Sequence, residues 1–132
     1  MATREARDKF SNAITDAYSE YQLDGIDLDW EYCGVEGYTG NGVTPEDCDN
    51  FLEFLRVLRN KLPTKAVITA AARVVPFAGP NARPMTDVSE FSKVLDWVMI
   101  MNYDVVGCKS LSSMVCHDLT LEMNGSFCNA WV

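Results

Sequence analysis

The stretch Asp24-Gly25-Ile26-Asp27-Leu28-Asp29-Trp30-Glu31-Tyr32 decides how the chain is read. Acidic and apolar residues alternate through it. Successive side chains of a β-strand point to opposite faces, so Asp27, Asp29 and Glu31 project together while Ile26, Leu28 and Trp30 project the other way. Three carboxylates about 6–7 Å apart on one face repel one another in a low-dielectric site. Burial and like charge both raise carboxyl pKa values, so at least one proton is expected to be kept near neutrality. A protonated carboxyl at the C-terminal end of a strand is what a general acid requires. Two plainer readings account for the same alternation: a solvated strand face, and a Mg²⁺ or Ca²⁺ site of hard oxygen ligands. A loop with glycine at 34, 37, 40 and 42 follows Glu31, where α/β folds place their sites, and this weighs against both.

Outward from this strand the pattern is regular. Before it, Phe10, Ala13, Ile14, Ala17, Tyr18 and Tyr21 fall on one helical stripe, with Thr3 as N-cap and Glu5 in the first turn. The strand is expected from Gly25 to about Tyr32. A second helix is expected to start with Thr44 as N-cap and Pro45 at its first position, and to bury Phe51, Phe54, Leu55, Leu58 and Leu62 before Pro63 stops it. Residues 65–72 read as a second strand. A short helix over 87–95 follows, with Asp87 and Glu90 at capping-box spacing, and then a third strand over 96–103. The order α-β-α-β-α-β has connections too long for hairpins, so the fold class is α/β with parallel strands and helical crossovers. The helices then cover the apolar side of the first strand, and the acidic side faces the centre of a sheet or barrel.

Composition narrows the function classes. The 132 residues are long enough for one hydrophobic core, and 48% hydrophobic with 23% charged residues is a globular balance. A net charge of −8 argues against nucleic acid and against an anionic membrane surface, which reward clustered Lys and Arg. A neutral polysaccharide is not repelled by that field. No run approaches the roughly 18 apolar residues of a membrane span, and the charged N-terminus lacks the apolar core of a secretory signal. Five cysteines, at 33, 48, 108, 116 and 128, leave pairing open, and the odd number leaves at least one thiol free or intermolecular. No Cys-x-x-Cys pair occurs, and His117 beside Cys116 makes no zinc constellation, so no metal site is assigned.

The residues from Asp24 to Tyr32 resemble the D-G-x-D-x-D-x-E signature of glycoside hydrolase family 18 chitinases, the fungal type in particular. The third strand ends Met101-Asn102-Tyr103-Asp104, which resembles that family's M-x-Y-D motif on a later strand. The resemblance covers residues 1–104. It implies part of a (β/α)8 TIM barrel, about three βα units of it and truncated, with 105–132 as an unmatched tail. That tail, the abrupt start and the missing signal together suggest a truncated or mis-spliced sequence, whose isolated activity is expected to be weak or absent. The aromatic floor that the family supplies from its final strand has no counterpart here, since Trp131 lies in the tail.

The resemblance also assigns roles. Glu31 would protonate the glycosidic oxygen of a β-1,4-N-acetylglucosamine linkage, while the substrate's own acetamido oxygen attacks the anomeric carbon, giving hydrolysis with retention. Asp29 would orient the acetamido group and share a proton with Glu31, and Asp27 would tune Asp29. Tyr103 and Asp104 would hold the same sugar, and Met101 would line the pocket floor. Asp24 and Gly25 would be structural members of the motif. No cofactor is implied, the expected partner is chitin or its oligosaccharides, and family members are mostly extracellular. Endo-β-N-acetylglucosaminidases share the signature, as do non-catalytic sugar-binding relatives, which typically lose the final acid. Phe77 and Tyr32 are expected to pack rather than to stack on sugar, and Trp97 to lie in the core.

Overall fold

A computed structural model describes residues 2–37, 40, 42–75 and 77–103. The chain divides into two units, residues 1–100 and 101–132. Of the second, Met101, Asn102 and Tyr103 are described; Asp104 and the tail lie outside the described residues. The order is α1 (Arg4–Glu20), β1 (Gly25–Asp29), α2 (Asp47–Lys61), β2 (Val67–Arg73), α3 (Ser89–Ser92) and β3 (Trp97–Met101). The expected α-β-α-β-α-β succession is therefore present, as one sheet in the order β1-β2-β3. β1 and β2 run parallel, with Gly25 opposite Val67, Asp27 opposite Thr69 and Asp29 opposite Ala71.

The core lies between this sheet and its helices. Phe54, Leu55 and Leu58 of α2 and Ile68 and Ala70 of β2 are completely buried. Their spacing, three and four residues in the helix and two in the strand, is the spacing each element needs to present one apolar face. Leu28 is buried among them, and Ile26 and Trp30 pack against the same cluster. Trp30 meets Phe51 edge-on, with ring centroids 5.4 Å apart. Phe77 is buried and stacked on Phe91, so it packs as expected.

Asp96 fastens β2, α2 and the approach to β3. Its carboxylate accepts from the Ile68 amide and from Arg59, each at 2.7 Å, while its own amide donates to the Ile68 carbonyl at 2.8 Å. Arg59 also donates to the carbonyls of Ala66 and Val94. One guanidinium thus satisfies carbonyls at the ends of two connections, which its fork of fixed donors suits.

Several details depart from the sequence reading. Thr3 does cap α1, accepting from the Ala6 amide, but the helix buries Ser11 and Tyr18 and leaves Phe10 and Tyr21 exposed. Lys61 reaches across from α2 to donate to Ser11 and Asn12, so a polar seam replaces part of the expected apolar stripe. α2 starts at Asp47, not at Pro45. The Asp47 carboxylate accepts from both the amide and the hydroxyl of Thr44, which reverses the roles expected of an N-cap threonine. α3 is one turn long; Asp87 accepts from the Ser89 amide, but Glu90 pairs with Arg56 and Lys93 instead of closing a capping box. Trp97, at the start of β3, is 55% exposed rather than in the core.

Candidate active site

The acidic residues sit where β1 ends. The strand stops at Asp29, two residues short of Glu31, which lies in the turn that follows. Exposure alternates through the segment: Asp27, Asp29 and Glu31 are exposed, Leu28 is buried, and Ile26 and Trp30 are partly buried. The three carboxylates therefore occupy the side of the sheet opposite the helices, as the alternation predicts. The expectation of burial is not met: all three carboxylates are exposed, although Thr69 on the same side of β2 is buried.

Two residues of β2 complete the acidic face. Ile68, Ala70 and Ala72 point into the core, so Thr69, Ala71 and Arg73 share the other side by strand parity. Thr69 stands opposite Asp27 and donates its hydroxyl to the Asp27 carboxylate at 2.5 Å. Arg73 is two residues beyond Ala71, the partner of Asp29, at the end of β2. Neither residue emerges from the sequence alone, because each becomes part of the face only through the β1–β2 register. The available signal was that Thr69 and Arg73 are the two polar residues of Val67-Ile68-Thr69-Ala70-Ala71-Ala72-Arg73, at like parity.

Tyr32 joins the strand end to this face. The Arg73 guanidinium carbon lies 5.2 Å from the centre of its ring. Burial pushes the Tyr32 phenol above its ordinary pKa, and the charge and hydrogen bond of Glu31 push it further, with a smaller contribution from Asp29 and opposition from Arg73. The phenol thus remains a proton donor through neutral pH. The peptide bond between Glu31 and Tyr32 is cis.

Asp24 and Gly25 stand at the start of β1. Asp24 contributes its backbone carbonyl to the Val67 amide at 3.1 Å, which sets the strands in register at their start. Gly25 has no room for a side chain, as a Cβ there would lie 2.5 Å from the Val67 carbonyl oxygen. Gly37 folds its loop back onto the Glu31–Tyr32 peptide, again leaving no space for a Cβ. Cys33 and Cys48 form a disulfide with Cα atoms 5.0 Å apart, tying this loop to α2. Met101 is buried at the end of β3, Tyr103 is half exposed, and Asp104 lies outside the described residues. Among the described residues no group of three His, Cys, Asp or Glu side chains is arranged to hold a metal ion.

The model of the glycosyl hydrolases family 18 matches residues 1–128. A chitinase-like effector of Moniliophthora roreri is 41% identical over 107 residues, covering 81% of this chain and 26% of the relative. Chitinase A1 of Niallia circulans is 34% identical over 109 residues, covering 80% of this chain and 16% of the relative. The crystal structure of a chitinase from Rhizomucor miehei superposes with a TM-score of 0.75 at 34% identity, over 78% of this chain and 33% of that one. The chain thus spans about a quarter of the effector's length, and its α/β architecture is part of a (β/α)8 barrel. The alternating acids, the strand order and the matched relatives lead to one conclusion: this chain belongs to the glycosyl hydrolases family 18.

Proposed function

We propose that the chain carries the acid-bearing portion of a retaining, substrate-assisted chitinase site. The observation that supports this most is the shared face of Asp27, Asp29 and Glu31 at the C-terminal end of β1, in a chain of this family. Glu31 donates a proton to the glycosidic oxygen as the bond to the anomeric carbon breaks. The substrate's 2-acetamido oxygen attacks that carbon from the opposite side and forms an oxazolinium ion. Water, deprotonated by Glu31, then opens the ion with overall retention. Asp29 orients the acetamido group and shares a proton with Glu31, while Asp27, held by Thr69, tunes Asp29. Tyr103 and Asp104 bind the same sugar, Met101 lines its floor, and Asp24 and Gly25 keep β1 in register. No cofactor takes part.

Turnover by this chain is slow, because the acids stand in solvent and lack the water-excluded site that strengthens such electrostatics. The partner is chitin or an N-acetylglucosamine oligosaccharide, and the location is extracellular, in keeping with the Cys33–Cys48 disulfide.

A second reading is a sugar-binding protein without catalysis, which the name of the Moniliophthora relative, a chitinase-like effector, favours. The retained Glu31 favours catalysis. Hydrolysis of a fluorogenic N-acetylglucosamine oligomer that persists in EDTA and is lost in Glu31→Gln supports the first reading. Chitin binding with no hydrolysis at any enzyme concentration supports the second.

A further inference from the structure

Arg73 ends β2 on the side of the sheet that carries the acids, since it shares strand parity with Thr69 and Ala71. Its guanidinium carbon lies 5.2 Å from the centre of the Tyr32 ring, and Tyr32 is the residue after Glu31. An exposed positive charge therefore stands beside the acid-bearing turn. Arg56 is paired with Glu53 and Glu90, and Arg59 with Asp96, but Arg73 forms no ion pair among the described residues. The π-system of the tyrosine attracts its guanidinium instead. Contact with a ring leaves the charge unneutralised, and the in-plane N–H groups of the guanidinium can still donate.

Asp27, Asp29 and Glu31 attract any cation, and a deacetylated sugar carries one in its ammonium group. The three carboxylates alone would thus draw in glucosamine, which has no acetamido oxygen to attack the anomeric carbon. The sugar at the cleaved bond must be acetylated for the reaction itself, but that requirement does not extend to its neighbour along the chain. We propose that Arg73 is a specificity-determining residue that selects N-acetylated over free-amine sugar in that neighbouring position, over the end of β2. Its charge repels the ammonium group, and its open N–H groups suit the carbonyl of an acetamido group. The proposal rests on the reading of this face as a site for N-acetylglucosamine chains.

The test titrates a tetramer of N-acetylglucosamine, and separately a tetramer of glucosamine, into the nitrogen-15-labelled full chain and follows its amide resonances. The pH is mildly acidic, so that the amines are protonated and the carboxylates ionised. Arg73→Gln is expected to bind the glucosamine tetramer about threefold more tightly than wild type, the effect of removing one unit charge about 7 Å away in water. The N-acetylglucosamine tetramer is expected to gain nothing. Arg73→Lys keeps the charge and is expected to stay close to wild type, and added salt is expected to narrow the gap between wild type and Arg73→Gln. Position 73 is exposed, so the fold tolerates both substitutions. An unchanged ratio of the two affinities in Arg73→Gln, the same shift in Arg73→Lys, or no binding of either tetramer overturns the proposal. Hydrolysis of the fluorogenic oligomer by wild type and Glu31→Gln is read separately. A shifted preference without hydrolysis supports the role of Arg73 and counts against the catalytic reading, whereas hydrolysis with an unshifted preference counts against Arg73 alone.

Discussion

Thr69 on β2 donates its hydroxyl to the Asp27 carboxylate on β1 across the parallel pair, at 2.5 Å. Thr69 is buried and Asp27 exposed, so the bond ties a solvent-facing acid to the packed part of the sheet. Thr69→Val keeps the shape of the side chain and removes only the donor. It is expected to destabilise the chain by about 1 kcal/mol, because water replaces part of what is lost at an exposed acceptor. Urea unfolding of Thr69→Val beside Thr69→Ser measures this, and equal midpoints for the two would show the bond contributes nothing.

Gly37 lies so close to the Glu31–Tyr32 peptide that a Cβ would overlap the Glu31 carbonyl, whereas nothing lies within 4 Å of a Cβ built at Gly42. Gly37→Ala is expected to cost about 1–3 kcal/mol and to shift the backbone resonances of Glu31 and Tyr32. Gly42→Ala is expected to leave both unchanged. Equal behaviour of the two variants would mean the loop does not brace the acid.

Cys33 and Cys48 close a loop with a sequence separation of 15 residues. Such a crosslink stabilises by about 3 kcal/mol, chiefly through the unfolded chain. Non-reducing peptide mapping should recover a Cys33–Cys48 linkage, and Cys33→Ala/Cys48→Ala should lower the urea midpoint accordingly. A linkage of Cys33 to any other cysteine would contradict this account of the loop.

The amide of Ile68, and after it Arg59, hold the Asp96 carboxyl below its ordinary value of 3.8. A depressed folded-state pKa gives stability that is complete well above the unfolded value and is lost as pH falls through the folded one. Unfolding midpoints should therefore drop below about pH 4. Asp96→Asn should lose stability at pH 7 and show a shallower drop on acidification. A parallel pH dependence in the two proteins would show that Asp96 does not carry it.

Much of this organisation was legible because it depends on local periodicity. The alternation from Ile26 to Glu31 gave the acidic face, Phe51, Phe54, Leu55, Leu58 and Leu62 gave the buried side of α2, and Thr3 gave a helix start. What was missed depends on relations between segments. Phe10 and Tyr21 follow the helical period yet stay exposed, since α1 meets α2 through Ser11 and Lys61 as well as through apolar contacts. The partner of Cys33 follows from the path of the loop, and the contact of Arg73 with Tyr32 follows from where the turn after β1 meets the end of β2. Neither is encoded in the spacing within one segment.

The central claim is that Glu31 is the proton donor of a family 18 site, and one rate comparison tests it most directly. Purified wild-type chain and Glu31→Gln are assayed in EDTA on a fluorogenic N-acetylglucosamine oligomer, with circular dichroism verifying that both are equally folded. The account predicts slow hydrolysis by the wild type and a loss of about 100-fold or more in the variant, since only the donor has been removed. Equal turnover by the two proteins would contradict it.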